Sequence, residues 1–295
     1  MPEIGNNIIK ANVDLVDETF DVSQSENYSL SIQIEQDRFA FCVFNTVIKK
    51  YIVLRSYPLP SNIDLYSIDA KNSPVSPHRA IFENDDLLTL KYKNRGNVWV
   101  SSRCTLMPEH LFDNTQAGSY MAFNHGTVAD EQVLQNHIRA AALYNVFSYP
   151  KKLTELLNFY QPNIGLFHHA TPFIRTNIAD LASWGRTAMA VYCYSGYTDI
   201  LAVKNGKLQY YNTFQTNTVD DALYFLTLVS NMLKVDMLST KLVYFGNNRQ
   251  NTAILEKYVH RVVECEPVNS VTYSHYISES FRKDFINLFN LYGCE

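Results

Sequence analysis

The chain has 295 residues, a formal net charge of −4, 46% hydrophobic and 18% charged residues, with 20 Tyr and 17 Phe. That length suits two domains, or one domain built of two similar halves, and the apolar share excludes a disordered chain. The acidic balance, with basic pairs no larger than Lys49-Lys50 and Lys151-Lys152, argues against the concentrated basic face that nucleic-acid wrapping needs.

In chain order, residues 1–27 read as an N-terminal arm. Stretches 28–34, 38–44 and 50–57 alternate apolar and polar residues across short polar links, which predicts an antiparallel meander ended by Pro58 and Pro60. A helix is expected over 78–90, strands at 97–100 and 104–107, a short helix from Pro108 to Phe112 and a strand at 120–123. Val133, Leu134, His137, Ile138 and Ala141 share one face at helical spacing, behind Asp130 and Glu131, so 130–143 reads as a helix. Then strand 145–149, helix 151–159, strand 163–168 and helix 172–183 read as a βαβα unit joining an at least partly parallel sheet, with Gly185 as a boundary.

The stretch 187–214 repeats the meander grammar, with Ser195-Gly196 at its first reversal and Asn205-Gly206, a dipeptide suited to a type I′ turn, at its second. Residues 218–235 read as a helix opened by a capping box of Thr218 and Asp221. Tyr224, Phe225, Leu228 and Met232 add apolar sides to its main stripe, so it should be covered on more than one face. A buried strand at 241–245 ends at Gly246, followed by a helix at 250–258, a strand at 261–266 and a helix at 278–291. No run of about 18 apolar residues is present, so no transmembrane segment is expected. The start lacks the basic and apolar regions of a secretory signal, which points to the cytoplasm. Cys42, Cys104, Cys193, Cys265 and Cys294, odd in number and widely spaced, read as buried thiols.

Laying Leu30, Ile32 and Ile34 on Met189, Val191 and Cys193 superposes the alternating faces of the two meanders. A meander followed by helix, strand, helix and strand, occurring twice, resembles the duplicated ribonuclease-H-like fold of the actin, sugar kinase and Hsp70 ATPase superfamily. The fold expected is thus α/β, with mixed sheets in a first half at 28–184, including a crossing helix, and a second at 185–295. The run Asn145-Val-Phe-Ser-Tyr-Pro-Lys-Lys-Leu-Thr-Glu-Leu-Leu followed by Gly165-Leu-Phe-His-His is similar to the junction in cytoplasmic actin-like platform proteins of type IV pili and type II secretion. Asp17-Glu-Thr-Phe, Tyr28-Ser-Leu-Ser-Ile, Thr105-Leu-Met-Pro-Glu-His-Leu-Phe and Asn145-Val-Phe resemble a bacterial domain-of-unknown-function family of this architecture.

The resemblance implies phosphates and magnesium at the first turn of each meander, held by Asp-x-Gly, whose glycine admits the phosphate and whose carboxylate holds the metal. This sequence has no Asp-x-Gly and no Gly-x-Gly: Glu35, Gln36 and Asp37 stand at the first turn, and Tyr194, Ser195 and Gly196 at the second. After the buried strand, where the superfamily sets a glycine pair against adenosine, Gly246-Asn247-Asn248 keeps one glycine. Residual cleft candidates are therefore Ser195, Gly196, Asp199, Gly246 and Asn247, with Asp199 read as an outward, solvated strand residue. His168-His169 should point to opposite strand faces, one buried and one exposed, and cannot chelate one metal together. No catalytic residue, cofactor or metal is expected. The leading expectation is a non-catalytic actin-like scaffold with a protein partner; the alternative is an ATP-binding or kinase-like enzyme with rearranged phosphate motifs.

Overall fold

The computed structural model describes residues 9–60, 77–127, 129–184, 187–194, 196–246, 249–265 and 271–294; Gly185, Ser195 and Asn247 lie outside them. Strands β1 (Val13–Val16), β2 (Tyr28–Ile34), β3 (Arg38–Asn45) and β4 (Lys50–Pro58) open the chain. β2, β3 and β4 form the expected meander, and β1 pairs antiparallel with β4, so part of the arm is a strand of the sheet. Helix α1 (Pro77–Asn84) is shorter than its apolar spacing predicts. Asp85 stops it by accepting the Leu87 amide, the Tyr57 hydroxyl at 2.5 Å and Arg55 at 2.7 Å, starting a 3₁₀ turn instead. β5 (Asn94–Trp99) then runs parallel to β2.

The next segment corrects two expectations. β6 (Cys104–Pro108), α2 (Ala117–His125), β7 (Glu131–Ile138) and β8 (Leu143–Pro150) make a separate antiparallel sheet in the order β6-β8-β7 with α2 upon it. Residues 120–123 are helical, because Ala117 and Met121, one turn apart, pack together on Val146. Residues 130–143 are strand and turn, not helix: adjacent Val133 and Leu134 bury into different clusters on opposite faces, which only an extended chain allows. Left-handed Ala142, with φ of 51°, completes the reversal into β8. Helix α3 (Lys151–Tyr160), β9 (Gly165–His168) and α4 (Ala170–Ser183) follow. β9 joins β5 in parallel as expected, whereas β8 stays in the small sheet, so the expected βαβα unit is divided between two sheets.

The second large sheet contains β10 (Thr187–Cys193), β11 (Tyr197–Lys204), β12 (Lys207–Gln215), β13 (Lys241–Phe245) and β14 (Arg261–Glu264), with α5 (Val219–Met232) and α6 (Arg249–Leu255) between them in sequence. Its order β12-β11-β10-β13-β14 repeats β4-β3-β2-β5-β9 of the first sheet, antiparallel in the meander and parallel beyond it. The chain ends with β15 (Thr272–Tyr273), α7 (Glu279–Asp284) and α8 (Ile286–Asn290), the expected last helix being broken at Phe285. β15 pairs with β4, and α8 packs Leu288 and Phe289 on the first sheet and Ile286 into the α4 cluster of the second.

These placements give three helical layers around two sheets. Leu30, Ile32 and Ile34 face α1 and α3, through Ile81, Phe82, Leu153, Leu156 and Leu157. The opposite face, with Cys42, Phe44 and Leu54, packs on Phe285, Leu288 and Phe289. In the second sheet, Met189 and Val191 face α5 and α6, while Ala188, Ala190 and Tyr192 face α4. The capping box of α5 forms as predicted. Its expected two-sided covering does not: Ala222, Leu226 and Val229 are buried, but Tyr224, Leu228 and Met232 are 64%, 49% and 57% exposed. Only Phe225 extends the covered side, stacking on Phe214 at 4.2 Å.

The hairpin β11–β12 has Asn205 and Gly206 at φ of 51° and 75°, both positive as type I′ requires. Gly206→Val forces a β-branched residue into this region at a cost of about 1–2 kcal/mol. Thermal denaturation should show a melting temperature several degrees lower; an unchanged melting curve contradicts this account of the turn.

Candidate functional site

Asp199 sits on β11, where Leu201 and Val203 two and four residues on point into the α4 core. The same alternation carries Asp199 inward, and it is fully buried, not solvated as its polarity suggests. Its Oδ1 accepts from His169 Nε2 at 3.1 Å and from the Thr213 hydroxyl at 2.7 Å; its Oδ2 accepts from the Tyr194 hydroxyl at 2.8 Å. Asn287 of α8 donates to Tyr194 Oη at 2.7 Å, and Tyr211 Oη lies 3.1 Å from Thr213 Oγ1. Burial, then the nearby Asp199, pushes Tyr194 and Tyr211 well above the ordinary phenol range, so both remain O–H donors at neutral pH. The donors thus come from β12, from the end of β10 and from the β9–α4 junction.

His168 and His169 are both buried, against the expectation of one exposed ring. The opposite-face rule stops applying because β9 ends at His168 and His169 is already helical, with φ of −57°. Their rings lie 4.3 Å apart. His168 Nδ1 accepts the Ala170 amide at 3.2 Å, which assigns the proton to Nε2, and Nε2 donates to the Ser101 carbonyl at 2.9 Å. Although Ser101 Oγ lies 3.4 Å from that nitrogen, Nε2 is not available to take its proton, so the pair is not a serine–histidine base couple. Burial, followed by His169, depresses His168 well below the ordinary histidine range. Burial also raises the Cys193 thiol to about 11 and the Cys104 thiol further, which disfavours the thiolate that cysteine nucleophilic chemistry needs.

At the first turn, where the resemblance implies a phosphate, Glu35 is 3% exposed. Its carboxylate accepts from Gln33 and from the Arg38 guanidinium, whose Nε is at 2.9 Å, and that guanidinium lies 4.7 Å over the Phe285 ring. A phosphate there would meet a carboxylate already matched by its own cation. Gly246, at φ of 142°, leaves no open cradle: an added Cβ would fall 2.8 Å from the Tyr244 hydroxyl, which accepts from Asn251. The described residues of these two turns therefore leave no open cradle for a phosphate, whereas an added Cβ at Gly196 in the second meander would meet nothing within 4 Å. Asp17, Glu18 and His275 come within metal-ligand reach of one another, but Lys50 Nζ is 2.8 Å from Asp17 Oδ2 and Tyr276 donates to Glu18.

Of the sequence candidates, Asp199 belongs to the buried network, and Gly196 and Gly246 lie in turns, with φ of 80° and 142°. The residues not singled out from sequence are Thr213, which bonds Asp199, and Asn287, which bonds Tyr194; Tyr194 and Glu35 stand out in the sequence only for their turns. The alternation Asp199, Leu201, Val203 was the available pointer to a buried carboxylate.

Two outcomes test the buried polar groups. Asp199→Ala strands the His169, Thr213 and Tyr194 donors and should cost about 2–5 kcal/mol in chemical denaturation, with Asp199→Asn losing less; equal stability of all three chains refutes the accounting. Burial also lowers His78, to about 4. His78 and His168 are then neutral when folded but take up protons when unfolded below about pH 6.5, so the unfolded state binds more protons and stability falls with pH. Urea midpoints should decline from about pH 6.5 towards about pH 4, with a shallower slope for His78→Phe.

Among solved structures the chain is similar to a protein of Bacteroides thetaiotaomicron VPI-5482 with an actin-like ATPase fold and unknown function. The TM-score is 0.79 at 21% identity, covering 94% of this chain and 100% of that one. It is also similar to a chain of the PilM-PilN type IV pilus biogenesis complex, with a TM-score of 0.56 at 12% identity, covering 90% and 98%. These likenesses show an actin-like ATPase fold. No curated protein matches the sequence. A family model matches residues 17–262, and the chain accordingly belongs to the family described as Protein of unknown function (DUF3822).

Proposed function

We propose that this chain is a non-catalytic actin-like scaffold, a cytoplasmic protein-interaction module with halves at 28–184 and 185–295 that presents a fixed surface to a protein partner. The observation that carries the reading is Glu35, held by Arg38 and Gln33 at the turn where the resemblance implies a phosphate. The buried Asp199 supports it: its carboxylate accepts from His169, Thr213 and Tyr194, side chains of the chain itself, and is closed off from metal or substrate. The shared fold with a chain of the PilM-PilN complex, an assembly of proteins, favours a platform role. Among the described residues no helix is long and apolar enough to cross a membrane, so attachment through such a helix is not part of the proposal.

Isothermal titration with Mg-ATP tests it. The expected outcome is no saturable heat, with no phosphate release on prolonged incubation. Saturable binding in the micromolar range would replace the scaffold with an ATP-binding or kinase-like enzyme using rearranged phosphate motifs.

A further inference from the structure

The two large sheets end in β1, β9 and β14, of four residues each, and in β12, of nine. Short edge strands are a common protection against unwanted pairing, and β12 departs from it. Among the described residues, no other segment makes a backbone hydrogen bond along its outer edge. Its own side chains serve some of these groups: Gln209 Nε2 donates to the Lys207 and Leu208 carbonyls at 3.3 and 3.4 Å, and the Thr213 amide donates to Asn212 Oδ1 at 3.0 Å.

Alongside the first half of this strand lies a cavity of about 620 Å³ between the β11–β12 hairpin and the turn from β7 to β8. Its apolar floor, Leu106, Leu143, Ile178, Leu208 and Tyr211, continues the core under α4. At its wall Arg139 is exposed and, among the described residues, makes no ion pair. Lys207, also exposed, adds a second positive charge at the hairpin.

A long strand edge that no other described segment covers, an apolar trough beside it and a guanidinium at the wall together specify one kind of occupant. We infer that β12 receives an extended acidic segment of a partner protein, added as a further strand, with alternate aliphatic side chains in the trough and a carboxylate on Arg139. Main-chain hydrogen bonds would supply affinity, and the trough and charge would supply specificity. This deepens the scaffold reading and rests on it, by naming the surface and the chemistry of the partner.

The test selects binders from a phage-displayed library of random dodecapeptides against the full chain. It then measures the enriched peptides on the parent chain and on Arg139→Glu and Ala140→Trp, both at exposed positions lining the cavity. Enriched peptides should alternate aliphatic residues and carry a carboxylate, each variant should weaken them by roughly tenfold or more at unchanged melting temperature, and hydrogen exchange of the β12 amides should slow on binding. Absence of any enriched binder, binding insensitive to both variants, or unchanged β12 exchange overturns the inference. So does a concentration-dependent dimer abolished by Arg139→Glu, which would give the groove to a second copy. Mg-ATP titrated into the same samples separates the two readings: tight ATP binding overturns the scaffold while leaving a peptide result standing, and silent ATP with failed peptide tests overturns this surface alone.

Discussion

A carboxylate removed from water must be met by donors, and the place where Asp199 finds them fixes how the pieces of this molecule sit together. His169 reaches it from the end of the strand that closes the first sheet, Tyr194 and Thr213 from the second sheet, and Asn287 supports Tyr194 from the C-terminal helix. Such a network adds little net stability over an apolar core of the same volume. Its effect is selective: an arrangement that slides β9 and α4 away from β11 leaves Asp199 short of a donor and His169 short of an acceptor, each costing about 1–3 kcal/mol.

Around that point the packing is reinforced from the C-terminus. Phe285, Leu288 and Phe289 fill the face of the first sheet opposite its own helices, Ile286 enters the α4 cluster of the second, and the Tyr51 hydroxyl donates to the Phe289 carbonyl. Neighbouring residues of one short helix therefore bury into both halves. Phe285 performs a further task, since its ring also lies under Arg38 and thereby helps hold the guanidinium against Glu35. The break in the last helix, where Phe285 takes φ of −111°, lies where this aromatic contact joins the two cores.

What could be read from sequence was local. The two meanders, the Asn205-Gly206 turn and the Thr218–Asp221 capping box depend on residues close in the chain, and all three form. The strand β7 was misread because its apolar residues, Val133, Leu134 and Ile138, fit helical spacing as well as two strand faces, and the left-handed Ala142 that turns the chain has no sequence mark. Asp199 was placed outward on the assumption that β11 has a solvent face, yet Ile200 and Leu201 are both buried, so it has none. For α5 the error ran the other way: apolar residues on every side suggested burial on every side, while Tyr224, Leu228 and Met232 face solvent. The network partners of Asp199 could not be paired from sequence, because His169 reaches Asp199, and Asn287 reaches Tyr194, through tertiary packing alone.

The same packing bears on what such a molecule can offer a partner. In a two-halved fold whose cleft is bridged by a ligand, the relation of the halves depends on that ligand. Here the chain's own side chains, Asp199 with its donors, Arg38 over Phe285 and Tyr51 on Phe289, supply the bridge. In the trough, Leu106 and Leu143 of the small sheet meet Leu208 and Tyr211 of β12. Binding to a preformed surface avoids the ordering cost that a mobile pair of halves would incur, so a modest contact area can suffice for specific recognition. On the scaffold reading proposed above, side-chain contacts of this kind would take the place of a ligand in setting the geometry between the sheets.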